Sequence, residues 1–353
     1  MRFFLGIGWF FFAMILVNCG GFVKSPDWVN HPSARFPQTA YLVGVGESDS
    51  RSGAETAALA VLARIFHVRI EQKTEEWQQY LQVESKGRSR VEQNQSIAVL
   101  TKASTDRVLE GAEIVEVAQE KSRYYALAVI NRQQATNRLT EQIQQLDEEV
   151  RKTLDLAQEG STKLIRIRNY KDTIKRLMLR EAYNTDLAIV NLLGEGVPPL
   201  ISTREVVQVF STWLAKNFLV DVQISGSESA VIKKAITEAL LQEEFPVAAT
   251  TEGADLWVTG AVDIVPVSLA GQPFQYVRWC VDLTVYEAEQ NRIVGVAALS
   301  GREGHLSATE AAARAVKSLL PKVTEATRGI IASYFSDEFK AIKNGPSSCV
   351  KGN

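Results

Sequence analysis

The stretch Tyr-Leu-Val-Gly-Val-Gly at residues 41–46 decides the fold of the first half of this chain. A short apolar run bounded by glycine is typical of a buried β-strand. Behind it, Ser52-Gly53-Ala54-Glu55 predicts a capping box, in which the serine and glutamate side chains bond the free backbone donors of a helix start. Apolar residues then recur at three- and four-residue spacing, which predicts one buried helix face. They are Ala54, Ala57, Ala58, Val61, Leu62 and Ile65.

The rest of this first half predicts further strands. Val68 and Ile70 alternate with polar residues, so we expect the chain to return as a strand there. The apolar runs 114–117 and 124–130 are separated by a short polar segment, which predicts a closing hairpin. Residues 74–105 are polar and weakly patterned, and the pattern assigns them no element.

A long helical hairpin and a second lobe follow. Between residues 132 and 195, apolar residues keep a four-three rhythm among Gln, Glu and Lys, and Gly160-Ser161 interrupts the rhythm. Residues 277–285 alternate strictly between apolar and polar side chains, which predicts a strand with one buried face. Further strands are predicted at residues 220–224, 256–267 and 292–302, and helices at 232–240 and 307–334.

The predicted fold class is therefore α+β: two small α/β lobes with mixed or antiparallel sheets, joined by a long helical hairpin. The expected segments are a signal peptide (1–18), a tether (19–39), a first α/β domain (40–135), the helical hairpin (136–200), a second α/β domain (201–340) and a flexible tail (341–353). The apolar stripes of the hairpin are expected to pack on each other within one chain. Self-association through helices 132–193 is the alternative.

The first residues have the pattern of an export signal. Arg2 supplies a positive start, and the fifteen residues Phe3–Val17 include no polar side chain. As a helix they span only ~22 Å, which is shorter than a hydrocarbon core of about 30 Å. The pattern therefore predicts a cleaved signal peptide rather than a permanent span.

The run ends in Leu16-Val17-Asn18-Cys19, which resembles the lipobox cut by the lipoprotein signal peptidase. Asn18 departs from the pattern, since that position usually holds Gly, Ala or Ser. The resemblance implies that Cys19 carries a diacylglyceryl thioether and becomes the first residue of the mature protein. An ordinary signal peptide with an unrelated cysteine is the alternative. The absence of Asp after Cys19 resembles an outer-membrane sorting signal, and the proline-bearing segment behind it is typical of a flexible spacer.

Composition limits the function classes. The formal net charge is −2 and no basic cluster with aromatic residues stands out, which argues against a nucleic-acid partner. Apart from Cys19, the cysteines are Cys280 and Cys349. An oxidising periplasm would permit them to pair, and the sequence leaves the paired and unpaired states open.

Enzymatic motifs are not found. Gly44-Val45-Gly46 begins like a dinucleotide-binding loop, but Asp49 stands where the third glycine is needed, so a tight strand end is the better interpretation. The sequence has no Gly-x-Ser-x-Gly elbow and no Walker loop. His31, His67 and His305 are isolated and lack the spacing of a zinc site. We therefore expect no catalytic residues, no cofactor and no metal.

Three surface features have both a structural and a binding interpretation. Glu47 and Asp49 follow the first strand, where a solvated turn is favoured over a binding loop. The segment 302–305 precedes a capped helix, where an exposed connection is favoured over an anion site. Trp28, at the end of the tether, is expected to pack on the first domain rather than to contact a partner.

Two family resemblances follow from these motifs. Pro26-Asp27-Trp28, then residues 41–46, an alanine-rich helix and Tyr124-Tyr125-Ala126-Leu127-Ala128 resemble the Lpp-twenty family of bacterial lipoproteins over about residues 24–135. The flagellar protein FlgT has a similar amino-terminal lobe. The second lobe, around Ala254-Asp255-Leu256-Trp257-Val258-Thr259-Gly260, is similar to periplasmic domains of the TolB, CsgG and LpoB type.

These resemblances imply protein binding or assembly rather than substrate turnover, so no catalytic residues are carried over. The expectation is a non-catalytic scaffold or assembly factor for an envelope complex. It would be held by acyl chains on Cys19 at the periplasmic face of the outer membrane, with partners among envelope proteins. A flagellar or secretion accessory is the first alternative, and a peptidoglycan-associated enzyme or synthase activator is the second.

Overall fold

Two β-sheets and a helical hairpin make up the computed structural model, which describes residues 26–335 except 72, 85–95, 101, 103–105, 107, 244, 249–252 and 269–272. The strands are β1 (Tyr41–Ser48), β2 (Ala112–Glu120), β3 (Arg123–Asn131), β4 (Val220–Gly226), β5 (Leu256–Val267), β6 (Gln275–Glu287) and β7 (Arg292–His305). The helices are α1 (Asp27–Asn30), α2 (Arg51–Glu71), α3 (Thr74–Glu84), α4 (Arg132–Glu159), α5 (Lys163–Val190), α6 (Thr203–Asn217), α7 (Ser229–Gln242) and α8 (Ala308–Tyr334). The predicted α+β class is confirmed.

The first sheet is antiparallel, in the order β1-β3-β2, and α2 packs across it. Gly44 and Gly46 of β1 face this helix. A Cβ at Gly44 would lie 2.4 Å from the Ala58 carbonyl oxygen, and one at Gly46 would lie 2.2 Å from the Ala54 carbonyl oxygen. The two glycines therefore let the helix backbone approach the strand. The predicted tight strand end is wrong, because β1 continues to Ser48.

Helix α2 starts differently from the prediction. Ser50 Oγ accepts a hydrogen bond from the Gly53 backbone nitrogen at 3.2 Å, so Ser50 caps the helix in place of Ser52. The buried face also differs, because Val61 and Ile65 are partly exposed. The residues that are buried follow a spacing of four: Ala54, Ala58, Leu62 and Phe66.

The predicted strand at Val68 and Ile70 is wrong, since both residues belong to α2, which ends at Glu71. Leu62 and Phe66, which are buried on the preceding turns, belong to the same helix. A two-residue alternation over only five positions was too short to outweigh that longer pattern. The polar region that received no assignment contains α3, which buries Trp77, Tyr80 and Leu81. The predicted hairpin is confirmed as β2 and β3.

The second sheet is mixed. Its order is β4-β5-β6-β7, with β4 and β5 parallel and the other neighbours antiparallel. Helix α7 connects the parallel pair, and α8 packs on β6 and β7. The alternating apolar residues of β6 are buried as predicted: Val277, Trp279, Val281, Leu283 and Val285.

Helices α4 and α5 form the predicted hairpin, with Asn131 and Thr162 as their side-chain caps. Each helix contributes to two hydrophobic cores. The first half of α4 and the last residues of α5 pack with the first sheet. The second half of α4 and most of α5 pack with the second sheet and α6. The apolar stripes of the hairpin are therefore buried within the chain. In the part of the chain that is described, no helix is long and apolar enough to cross a membrane.

Candidate functional site at the tether end

The predicted lipidation residue Cys19 and the lipobox residues Leu16, Val17 and Asn18 lie outside the described residues. Pro26, the first of the described residues, is seven positions after Cys19. The candidate site is therefore the folded surface on which the first described residues after Cys19 pack.

Trp28 docks the end of the tether on the first sheet. It is 8% exposed and packs with Leu127 and Val129 on the face of β3 opposite α2. Backbone hydrogen bonds from Val29 to Pro26 (2.8 Å) and from His31 to Asp27 (3.0 Å) hold it in a single helical turn. Because a docked indole removes a large apolar area from water, the turn is fixed to the sheet. The predicted packing role of Trp28 is confirmed.

The chain then crosses this outer face towards β1. The rings of Phe36 and Tyr41 meet edge to face, with centroids 5.3 Å apart. Arg35 forms an ion pair with Glu116 of the edge strand β2. The tether end is thus attached to the sheet by apolar contacts, aromatic contacts and charge.

Arg132 joins the tether end to the end of the hairpin. Its Nε donates to the Gln38 carbonyl at 2.8 Å, and its Nη1 donates to the carbonyls of Ile189 and Val190 at 2.9 and 3.0 Å. Ile189 and Val190 end α5, where backbone carbonyls lack partners within the helix and attract a cation. Burial lowers the pKa of the Arg132 guanidinium, but an arginine stays charged in a protein. No sequence signal identified this residue, since its acceptors are main-chain atoms far away in sequence.

The segment after α5, residues 191–200, lies at the same end and is anchored from beneath. The Asn184 side chain accepts from the Val197 backbone nitrogen at 2.7 Å. Arg180 donates to the carbonyls of Val197 and Pro198 at 3.1 and 3.0 Å, and it is 1% exposed. Beside this segment is a shallow cavity of about 270 Å³, lined in part by Lys73, Glu181 and Asn184.

A polar cluster around Glu76 and Glu181 joins α3 to α5 and α6. The Glu181 carboxylate accepts from Trp77 Nε1 at 3.0 Å and from the Thr203 hydroxyl. Glu76 accepts from the Tyr80 hydroxyl and from Arg204. These bonds hold the pairing of the helices.

The charge states of Glu76 and Tyr80 in this cluster favour a structural role. The hydrogen bond from Tyr80 lowers the pKa of Glu76 below its ordinary value. Burial, reinforced by the bond to Glu76, raises the pKa of Tyr80. Both shifts favour a carboxylate that accepts and a phenol that keeps its proton. The pair is therefore arranged as a fixed hydrogen bond, without a base poised near neutral pH.

The remaining sequence candidates are separate from one another. Glu47 pairs with Arg123 of the neighbouring strand, and Asp49 accepts from the Ser48 hydroxyl at 3.2 Å. The segment 302–305 belongs to β7, so it is part of a strand and not a connection. Among the residues with a described position, no group of three His, Cys, Asp or Glu side chains is placed to hold a metal ion.

Cys280 lies on the face of the second sheet that points away from α8. It is 5% exposed, although its cross-strand neighbours Asp263 and Ser300 are exposed. Cys280 is disulfide-bonded. The other two cysteines of the sequence, Cys19 and Cys349, lie outside the described residues.

Comparison with known proteins gives a family match for the first part of the chain. Among solved structures, a secreted protein from Helicobacter pylori is 16% identical over 82% of this chain and 95% of its own, with a TM-score of 0.41. A minor lipoprotein from Acinetobacter baumannii is 9% identical over 33% of this chain and 91% of its own, with a TM-score of 0.22. None of the curated proteins matches the chain. Residues 26–131 match the LPP20 lipoprotein family. The predicted resemblance to the Lpp-twenty lipoproteins is therefore confirmed over residues 26–131, which include the tether end and the first sheet.

Proposed function

We propose that this chain is a lipid-anchored lipoprotein of the outer membrane that faces the periplasm and serves as a non-catalytic scaffold or assembly factor. One observation carries the proposal: Trp28, nine positions after Cys19, is already docked on a sheet that matches the LPP20 lipoproteins. Because Trp28 is docked, only the short link from Cys19 to Trp28 would separate the folded part from the surface that carries the acyl chains.

The hairpin supports the scaffold part of the proposal. Helix α4 has 28 residues and spans about 42 Å at 1.5 Å per residue. Because α4 and α5 are each buried in both cores, the second lobe has a fixed position relative to the anchored one. A fixed spacing between two surfaces is what a protein needs to hold partners in register.

Lipid attachment is tested with Cys19→Ala. We expect this variant to lose a fatty-acid label supplied to the cells and to move from the membrane fraction to the soluble periplasmic fraction. The matched control is Asn18→Gly, which brings the lipobox closer to the usual pattern and should keep both the label and the membrane fraction. An unlabelled wild-type protein, or a Cys19→Ala protein that stays in the membrane, would contradict the anchor.

The scaffold role is tested by crosslinking in cells. A photoreactive amino acid is placed at Glu113 on β2 or at Asp263 on β5, both of which are exposed positions on different lobes. We expect both positions to capture components of one envelope complex, identified by mass spectrometry, and the Cys19→Ala background to abolish the capture. Capture from neither lobe would contradict the scaffold.

A further inference from the structure

Residues 191–200, here called the leucine loop, expose apolar side chains at the tether end of the molecule. Leu192 is 63% exposed and Leu193 is 78% exposed. Of the ten residues in the loop, only Glu195 is charged. Adjacent exposed leucines form an apolar patch, which is typical of a surface that contacts another molecule or a membrane.

The loop holds these leucines in place. The Asn191 side chain accepts from the Leu193 backbone nitrogen at 3.0 Å and donates to the Glu195 carbonyl at 2.8 Å. The bond that Asn184 accepts from Val197 and the bonds that Arg180 donates to Val197 and Pro198 fix the rest of the loop to α5. The exposure is thus a property of an anchored turn.

The position of the loop identifies what covers it. Trp28, two residues after the first described residue, packs on Val129 of β3, and Arg132, three residues after Val129, donates to the carbonyl of Val190, two residues before Leu192. The seven residue-to-residue steps from Cys19 to Pro26 can span at most about 25 Å. An acyl chain on Cys19 therefore brings the bilayer close to the end of the molecule that bears the leucines.

We propose that Leu192 and Leu193 insert into the interfacial layer of the membrane that carries the anchor, as a second attachment point beside the acyl chains. The inference rests on the proposed lipid anchor. Apolar side chains buried at the boundary of headgroups and acyl chains add to the binding given by lipidation. Two attachment points would also fix the orientation of the domain on the membrane, which acyl chains at a single residue do not.

The test uses the mature chain coupled through Cys19 to a maleimide lipid in vesicles of phosphatidylethanolamine and phosphatidylglycerol. This coupling supplies the tether whether or not cells acylate Cys19, so failure of the proposed function and failure of this inference are distinguishable. An environment-sensitive fluorescent amino acid is placed at position 193. The matched control is position 306, where Leu306 is 68% exposed in the turn before α8.

We expect a blue shift and quenching by brominated lipid at position 193, and neither at position 306. A second measurement uses protein that carries one myristoyl chain and is not coupled to the maleimide lipid. In this form the double variant Leu192→Ser with Leu193→Ser should bind vesicles at least about tenfold more weakly than the protein with both leucines. Its circular dichroism should match the wild type, because both side chains are exposed. Equal signals at positions 193 and 306 would overturn the proposal. A photoreactive amino acid at position 193 that captures a protein in cells, without quenching by brominated lipid in the vesicles, would overturn it too. The loop would then face a protein partner.

Discussion

Arg180 and Asp147 form a two-pronged ion pair between the helices of the hairpin, with Nε–Oδ1 and Nη2–Oδ2 distances of 2.8 and 3.3 Å. The same guanidinium donates to two carbonyls of the leucine loop. One buried side chain therefore links the hairpin to the segment that leads into the second lobe.

Removal of this side chain should be severely destabilising. Arg180→Ala leaves a carboxylate and two carbonyls without their donor, and we expect a loss of about 3–5 kcal/mol in the free energy of unfolding. Arg180→Lys should lie between this variant and the wild type, because an ammonium cannot form the two-pronged contact. The matched control is Arg176→Ala, whose half-exposed pairs should cost no more than about 1 kcal/mol. Urea denaturation measures all three, and equal losses for Arg180→Ala and Arg176→Ala would refute the assignment.

The contact between β1 and α2 should reject any side chain at its glycines. Gly46→Ala places a methyl group 2.2 Å from helix backbone atoms, so the helix must move, and we expect a loss of at least about 1–3 kcal/mol. The control is Gly329→Ala in α8, where nothing lies within 4 Å of the added Cβ. There the better helix propensity of alanine should stabilise by about 0.5–1 kcal/mol. In thermal denaturation, the Tm should therefore fall for Gly46→Ala and rise for Gly329→Ala.

The Glu76 cluster makes stability depend on acid in a defined direction. The pKa of Glu76 in the folded chain lies below the ordinary value of 4.5, mainly because Tyr80 donates to the carboxylate. Its contribution is therefore present at neutral pH and is lost as the pH falls through the folded pKa.

Glu76→Gln should accordingly be less stable than the wild type at pH 7, and the difference should shrink as the pH falls below about 4.5. Tyr80→Phe removes the main donor and should reduce the same pH dependence. Denaturant midpoints measured across this range test both variants. A constant difference between Glu76→Gln and the wild type at every pH would count against the assigned cause.

The disulfide of Cys280 should involve Cys349 in the mature protein. The sequence has three cysteines, and a thioether on Cys19 would leave Cys349 as the available partner. We expect non-reduced peptide mapping to recover the two segments joined, and Cys349→Ser to make Cys280 reactive towards an alkylating reagent after unfolding. An alkylated Cys280 in the non-reduced, unfolded wild type would disprove the pairing.

Local patterns in the sequence predict the elements whose residues alternate over a long stretch. Residues 277–285 predict a strand because nine positions obey one period, and the stripes of the hairpin predict two helices for the same reason. Val68 and Ile70 mislead because their alternation spans too few positions. Trp28 is identifiable because a large aromatic ring beside a spacer is stabilised by packing on the adjacent domain.

The parts that could not be predicted depend on contacts between distant segments. Arg132 and Arg180 are ordinary basic residues in amphipathic helices, and only the folded chain brings main-chain carbonyls to them. The polar character of the segment around α3 concealed Trp77 and Tyr80, which are buried against α5 and α6. In each case the tertiary partner, rather than the local pattern, sets the role of the residue.

The shared hairpin also has a mechanical consequence. Since α4 and α5 are embedded in the cores of both lobes, the two lobes move together with these helices. A tilt of the first lobe would therefore move the second lobe through an arc with a radius of about 42 Å. Under the proposed membrane contact, the orientation of Leu192 and Leu193 against the lipid would determine how far from the membrane the second lobe stands.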